Sequence, residues 1–215
     1  MTEHQKRVLT GGLIAPLILG LFFVPPWIFA ALCILIILRI VYKEWPRLFS
    51  PYDPLFWIIL PFYPLLPCAL IIYLQLYGFA LLNLVLIGLI GIYDTFSYLA
   101  GKQWGKTPIN RQISPGKSWE GFAGGIAGTL IFSLVFFGHH TLKCLTTCVF
   151  PFIIVLCCTA LAGDLFESAL KRRAGLKDAG SLLPGHGGIL DRIDGILFAT
   201  VPVFIFRNYL MRLLV

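Results

Sequence analysis

The chain has 215 residues, of which 58% are hydrophobic and only 13% are charged, and its formal net charge is +7. An average soluble domain has about 45–50% apolar and about 25% charged residues, so this composition excludes an ordinary soluble domain and indicates a membrane domain. The basic residues form no patch apart from the borders of the apolar runs. This excludes a nucleic-acid interface and favours anionic lipid headgroups or a phosphorylated substrate.

The apolar runs predict about seven transmembrane helices, because a span needs about 20 apolar residues. We therefore expect an all-α polytopic membrane protein that is one integral membrane domain, 1–215, with N-terminal spans in 8–74 and a catalytic half in 79–214. The first run follows a short basic region and has no small-residue cleavage site, so it predicts an uncleaved first helix. The predicted spans are 8–24, 26–42, 55–74, 79–100, 119–137, 146–163 and 195–214.

Two features inside these runs qualify the prediction. The third run contains Pro61, Pro64 and Pro67, which should distort the helix or make it a broken or re-entrant segment. The six cysteines lie in or beside apolar runs without the spacing of metal ligands. They are therefore interpreted as small hydrophobic residues, and no disulfide framework is expected.

The basic residues predict the sidedness of the chain. With the N-terminus inside, 14 of the 17 Lys and Arg side chains fall on the cytoplasmic side, in 6–7, 39–47, 102–117 and 171–192. All ten acidic residues lie on or near the same side. We therefore expect a multi-pass protein of the cell membrane, with the N-terminus and the two long polar segments, 101–118 and 164–194, in the cytoplasm.

Asp94 lies near the cytoplasmic end of the fourth predicted span, where an ionisable side chain is costly and a functional role is the default. Neighbouring hydroxyl groups could instead satisfy it structurally, and the two interpretations stay open. Further along, Lys117 and Ser118 offer contacts for an anion, and Glu120 stands beside the start of the fifth span. The glycines at 121, 124, 125 and 128 are spaced by four, which indicates close helix packing rather than phosphate contact.

After the sixth span, Asp164, Glu167, Ser168 and Lys171 recur at intervals of three and four and so share one helical face. A bland interpretation is a helix end with an internal Glu167–Lys171 pair. The functional one makes Asp164 an oxygen ligand of a divalent cation, with Lys171 and Arg172 facing phosphate oxygens.

Asp191 and Asp194 form a second acidic pair, with Arg192 between them in the sequence. Mg²⁺ in nucleotide sites takes one or two carboxylates, and the phosphates and water supply the other ligands. The segment between the two acidic stretches contains Lys177, Asp178 and a glycine-flanked His186. The histidine is either a hydrogen-bonding loop residue or a substrate contact.

At this point the sequence resembles the phosphatidate cytidylyltransferases, also called CDP-diglyceride synthases. The stretch from Ser168 to Asp194 matches every fixed position of that family's C-terminal signature, and DTFSYLAGKQWGK from Asp94 and SPGKSWEGFAGG from Ser114 are similar to two further family elements. KEWPRL from Lys43 resembles a weaker one. Gly116 departs from the pattern, where the family often has a lysine, and the chain is shorter than the family's usual length by one or two spans.

The resemblance implies transfer of CMP from CTP to phosphatidic acid, giving CDP-diacylglycerol and pyrophosphate in phospholipid biosynthesis. It implies Mg²⁺ held by Asp164 and Asp191 with support from Asp194, and catalytic roles for these three together with Lys171 and Arg172. The substrate-binding residues it implies are Asp94, Lys102, Lys117, Ser118, Ser168, Lys177, Asp178, His186 and Arg192. The expected partners are CTP, phosphatidic acid and membrane lipids, with no nucleic acid.

Two other functions compete with this interpretation. A CTP-dependent kinase of an isoprenoid alcohol would share the cationic and metal features, but it would need a base beside the alcohol. A transporter could use Asp94 and the other carboxylates as a proton or cation relay, but it would not need a long charged segment on one side. The sequence leaves open whether a second, monovalent cation binds and whether the chain forms a homodimer.

Overall fold

The computed structural model describes residues 20, 22, 24–137, 149–180, 182 and 187–214, and these are mostly helical. Within them, four helices are long and apolar enough to cross a membrane, and a bent helix pair makes a fifth if it is counted as one span. The coarse prediction of a helical membrane protein is confirmed. The predicted first span, 8–24, lies almost wholly outside the described residues, and the count of seven spans stays a prediction.

Among the described residues, the first candidate membrane helix consists of α1, a π-helical turn and α2, and the second consists of α3, another π-helical turn and α4. In chain order the elements are α1 Pro26–Arg39, the turn Ile40–Glu44, α2 Trp45–Leu48, α3 Pro54–Leu60, the turn Pro61–Leu65, α4 Leu66–Leu76, α5 Ala80–Trp104, β1 Pro108–Asn110, β2 Ser114–Ser118, α6 Trp119–Phe137, α7 Phe150–Arg173, α8 Leu190–Ile205 and α9 Arg207–Leu214.

Proline accounts for both π-helical turns. A proline inside a helix lacks an N–H and its ring collides with the carbonyl four residues earlier, so a wider turn relieves the contact. Around Pro64 the N–H of Leu66 bonds to the carbonyl of Pro61, five residues back. Before Pro46 the N–H of Trp45 bonds to the carbonyl of Ile40 in the same way. The predicted distortion of the third span is thus confirmed, whereas the one at Ile40–Glu44 was not predicted.

Glycines bring α5 and α6 together, as their spacing predicts. A Cβ atom added at Gly125 would lie 2.7 Å from the ring of Tyr93, and one at Gly121 would lie 2.8 Å from the carbonyl oxygen of Ser97. No larger side chain fits at these positions without displacing backbone. The close approach places the start of α6 beside the end of α5.

The segment predicted as the polar loop 101–118 has more structure than that prediction allows. Helix α5 continues to Trp104, and β1 and β2 then form a two-stranded antiparallel ribbon. The turn between the strands is closed by the side chain of Asn110, whose oxygen accepts from the N–H groups of Gln112 and Ile113 at 3.0 and 3.1 Å. The ribbon lacks alternating apolar residues, and for this reason an all-α prediction overlooked it.

The last two predicted spans also differ from the structure. Helix α7 does not end at 163 but continues to Arg173, because Asp164, Glu167 and Lys171 occupy one face and leave the helix pattern intact. The run 195–214 is not one straight span, since α8 begins earlier, at Leu190, and α9 is bent from it by 84°. The residues of α9 are strongly amphipathic, which is typical of a helix that lies along a membrane interface.

Three connecting segments meet at one end of the helices. Arg173, at the end of α7, donates to Asp53 at 2.7 Å, and Arg172 donates from its Nε to the carbonyl of Ile113 at 3.3 Å. The end of α7 therefore lies beside Asp53 and the ribbon. A buried aromatic cluster around Trp45, with Phe49, Phe56 and Tyr63, packs beneath this end.

Candidate active site

A cavity of about 390 Å³ opens at this end, between α5, β2, α7 and the start of α8. Five carboxylates and three cationic side chains contribute to its wall, so ionised groups leave an excess of negative charge. The lining residues are Asp94, Ser97, Tyr98, Gly116, Lys117, Ser118, Asp164, Lys171, Asp178, Asp191, Arg192 and Asp194. Nine of the fourteen predicted site residues therefore share one cavity, although they come from segments far apart in the chain.

Lys171 joins the two acidic helices. Its Nζ donates to Glu167 Oε2 one turn earlier in α7 and to Asp191 Oδ1 in α8, each at 2.7 Å. The Glu167 side chain is fully buried and that of Asp191 is only 4% exposed. Charges removed from water to this degree are tolerated only when paired, so the three groups stabilise one another. The predicted Glu167–Lys171 pair is present, and Lys171 also lines the cavity. The role of Asp164 as a cation ligand, with Lys171 and Arg172 facing phosphate, stays a prediction.

Backbone N–H groups hold the Asp191 carboxylate in addition to Lys171. Its Oδ2 accepts from the N–H groups of Gly188 at 2.7 Å and Ala179 at 2.9 Å. Asp191 therefore connects both ends of the segment that joins α7 to α8. Its carboxylate has little rotational freedom, which favours a fixed position in the site.

Lys117 reaches the cavity from β2 and forms an ion pair with Asp164 on α7. Burial lowers the pKa of the Lys117 ammonium below its ordinary value, while the carboxylates of Asp94 and Asp194 raise it. The next residue, Ser118, accepts from the N–H of Gly121 at 3.1 Å and so caps the start of α6. The ribbon and the cap together position Lys117 over the acidic wall.

Five predicted site residues are not on the described wall. Lys102 is exposed, with its ammonium 6.0 Å from the centre of the Tyr98 ring, and Arg172 donates to the backbone carbonyls of Ile113 and Leu176. Ser168 and Lys177 also lie outside the lining, and His186 lies outside the described residues. Arg172 thus has a visible structural task, since it ties the ribbon to the end of α7.

The sequence analysis gave Glu44 no role of its own, although it lies in the KEWPRL stretch. It is 1% exposed, and its carboxylate accepts from the N–H groups of Ile189 at 3.0 Å and Leu190 at 2.8 Å. The available signal was an acidic residue beside an apolar span, which is a reason to suspect function. That signal could not tell which segment, 145 residues away, the carboxylate would meet.

The donor set fits a hard divalent cation in its chemistry. Carboxylate oxygens are the ligands that Mg²⁺ prefers, and a wall with more carboxylates than cations would otherwise repel a polyphosphate. Within the described residues, however, no group of three or more His, Cys, Asp or Glu side chains forms a ready-made metal site.

Comparison with known proteins decides the family. A model of the cytidylyltransferase family matches residues 54–210, which include every residue of the cavity wall. The chain belongs to the cytidylyltransferase family. The part that the family model covers starts with α3 and ends within α9, so the members' shared region includes the second membrane helix as well as the site.

Curated relatives in this family include three named phosphatidate cytidylyltransferase. The one from Thermotoga maritima is 42% identical over 122 residues, 54% of this chain and 45% of that protein. The one from Haemophilus influenzae is 42% identical over 133 residues, 60% of this chain and 45% of that protein. The one from Mycobacterium leprae is 46% identical over 111 residues, 50% of this chain and 34% of that protein. The chain thus matches less than half the length of each of these relatives.

Proposed function

We propose that this cytidylyltransferase-family chain is a phosphatidate cytidylyltransferase, which transfers CMP from CTP to phosphatidic acid in phospholipid biosynthesis. The observation that carries the proposal is the shared cavity. Three separate stretches, around Asp94, Lys117 and Asp164–Asp194, each contribute charged side chains to one wall. The names of the relatives support the choice of substrates.

The reaction needs no nucleophile from the protein. An ionised phosphate oxygen of phosphatidic acid forms a bond to the α-phosphorus of CTP, while the bond from that phosphorus to the oxygen bridging to the β-phosphate breaks. Pyrophosphate leaves with the bonding electrons. The barrier is the crowding of negative charge, so catalysis consists of positioning and electrostatic stabilisation.

The cationic side chains of the cavity wall would position the phosphates and stabilise their negative charge. Lys117, Lys171 and Arg192 come from β2, α7 and α8, so three separate elements would bring positive charge to a bound triphosphate. Lys117 and Lys171 are held by carboxylates, which orient them before substrate arrives. An arriving phosphate would compete with Asp164 for Lys117, and the released carboxylate would then be available as an oxygen ligand.

Mg²⁺ is the proposed cofactor, with Asp164 and Asp191 as its protein ligands and Asp194 in support. When bound, it would neutralise the triphosphate and the leaving pyrophosphate. Asp191 retains part of its lone-pair capacity beside Lys171, Gly188 and Ala179, so the pairing seen here is compatible with such a role.

Lipid and nucleotide must reach this cavity from different directions. Phosphatidic acid keeps its acyl chains in the bilayer, so its phosphate arrives at headgroup level from the side, whereas CTP arrives from water. Asp94 and Tyr98 lie on the exposed surface of α5 and also line the cavity, which supports lateral access for lipid along this helix. The excess of Lys and Arg at this end supports a cytoplasmic orientation.

The position of a radioactive label tests the function. Purified protein in mixed micelles is given phosphatidic acid, Mg²⁺ and CTP labelled at either the α- or the γ-phosphate. The proposal expects the α label in the lipid product and the γ label in pyrophosphate. Transfer of the γ label to lipid would indicate a kinase, and absence of both from lipid would contradict enzymatic transfer.

A further inference from the structure

We infer that Glu44 is a positioning residue of the site: its carboxylate holds the N-terminus of α8, and with it Asp191 and Asp194. The residue lies outside the cavity wall and outside the part of the chain that the family model matches. Its proposed effect on turnover rests on the function proposed above, whereas its effect on the backbone of α8 does not.

The position of Glu44 is determined by its surroundings. It closes the π-helical turn Ile40–Glu44, and the next residue, Trp45, is fully buried. The Trp45 ring packs 4.9 Å from Phe49 and donates from its Nε1 to the carbonyl of Phe56 at 3.2 Å. The aromatic cluster therefore anchors the backbone and directs the Glu44 side chain towards α8.

Glu44 accepts hydrogen bonds from two backbone N–H groups at the start of α8. The first N–H groups of a helix have no partner inside the helix, and a side chain at the N-cap usually accepts from them. The N-cap residue here, Ile189, is apolar and has no acceptor in its side chain. Glu44 supplies the acceptors instead, with Oε1 on the N–H of Ile189 and Oε2 on that of Leu190. A negative charge at this end of a helix is also favourable to the helix dipole.

The same carboxylate packs against both ends of the segment between α7 and α8. A Cβ atom at Gly180 would lie 2.9 Å from Glu44 Oε1, and one at Gly188 would lie 2.8 Å from Oε2. Ala179, next to Gly180, and Gly188 itself donate to Asp191. Glu44 and Asp191 therefore contact neighbouring positions of the same backbone, so a shift at Glu44 should be transmitted to the donors that orient Asp191.

Loss of the Glu44 charge should act on the site through this backbone. In Glu44→Gln one oxygen is replaced by an NH₂ group, which faces a backbone N–H and cannot accept from it. Comparable changes behind metal-binding carboxylates cost about 10–100-fold in metal affinity or activity. We expect turnover to fall in this range and the half-saturating Mg²⁺ concentration to rise.

The test measures the backbone and the activity in the same full-length variants. Glu44→Gln is compared with Glu44→Asp, which keeps the charge, and with Asn83→Leu as the control. Asn83 is equally buried and donates to Gln75 at 3.2 Å between α4 and α5, away from the cavity. Hydrogen exchange is followed by mass spectrometry in peptides that cover 187–194.

We expect hydrogen exchange at Ile189 and Leu190 to be at least about tenfold faster in Glu44→Gln than in the wild type, and unchanged in Asn83→Leu. In Glu44→Asp, which keeps the charge, the half-saturating Mg²⁺ concentration should return part of the way to the wild-type value. Unchanged exchange, or an equal loss of turnover in Asn83→Leu at equal thermal stability, would overturn the inference. If Glu44→Gln does not fold, Gly180→Ala is measured instead, because its Cβ would crowd both the Glu44 carboxylate and the Cα of Gly188. Should the wild type lack cytidylyl transfer, the proposed function fails while the exchange result still decides the role of Glu44.

Discussion

The Asp191 carboxylate accepts from three donors, which are the ammonium of Lys171 and the N–H groups of Ala179 and Gly188, and these contacts set the expected result of replacing it. Asp191→Asn keeps the shape but removes the charge that holds Lys171 and that would bind a cation. We expect turnover to fall at least about 100-fold, with the protein still folded. The same holds for Asp164→Asn, which releases Lys117.

A matched control exists on the same end of the molecule. Asp53 also accepts from a backbone N–H, that of Leu55 at 2.9 Å, and also pairs with a cation, Arg173, but it is not on the cavity wall. Asp53→Asn should keep near wild-type turnover, because asparagine is also a good N-cap. Wild-type rates in Asp191→Asn and Asp164→Asn at saturating Mg²⁺ would remove both residues from the metal site.

Asp94 and Lys171 lie on different parts of the wall and should differ in their kinetics. Asp94 is on the exposed side of α5, so Asp94→Ala should raise the requirement for phosphatidic acid more than that for CTP. Lys171 lies between α7 and α8, so Lys171→Ala should weaken the use of CTP. Rates in mixed micelles, measured against the surface concentration of phosphatidic acid, check this. Unchanged lipid dependence in Asp94→Ala would exclude it from the lipid path.

At the scale of elements, the glycine interface between α5 and α6 positions Lys117 at the cavity. In Gly125→Ala the new methyl group would lie 2.7 Å from the Tyr93 ring and 3.0 Å from its carbonyl oxygen. Overpacking of this kind costs about 1–3 kcal/mol, so we expect a lower thermal midpoint in detergent and reduced turnover. Gly88→Ala on α5 is the control, because a Cβ there meets no atom within 4 Å. Equal midpoints for the two variants would contradict the proposed close packing.

The elements also show what a sequence can and cannot predict. The spacing of Asp164, Glu167 and Lys171 predicted their common face, and the glycine spacing predicted close packing, because both depend on local helix geometry. The β-ribbon and the bend between α8 and α9 were missed. The ribbon is held by a polar side chain, Asn110, rather than by an apolar pattern, and the bend follows a change from an apolar to an amphipathic helix.

At the site, the limit is set by contacts between distant residues. Nine of the predicted residues share the cavity because their motifs lie at one end of neighbouring helices. Arg172 donates to backbone carbonyls, and Glu44 accepts from the start of α8. Both contacts depend on which distant segments meet in the fold, and local sequence patterns do not predict this. The metal ligands and the role of His186 stay predictions.

For the whole molecule, the proposed function requires the cavity end of the helices to face the cytoplasm. In a background without the six native cysteines, single cysteines at the exposed residues Tyr52 and Gln103 mark the cavity end, and one at Tyr77 marks the opposite end. In intact cells an impermeant thiol reagent should label Tyr77→Cys and spare the other two. Rapid labelling of Tyr52→Cys or Gln103→Cys with Tyr77→Cys protected would reverse the orientation.

Product formation by the purified wild-type protein should depend on Mg²⁺. CDP-diacylglycerol and pyrophosphate are measured together while a chelator is titrated into micelles that contain phosphatidic acid and CTP. The account predicts equal amounts of the two products, loss of both in excess chelator and full recovery when Mg²⁺ is restored. Unchanged product formation in excess chelator, or pyrophosphate without the lipid product, would contradict a carboxylate-rich cavity that transfers CMP with the help of a divalent cation.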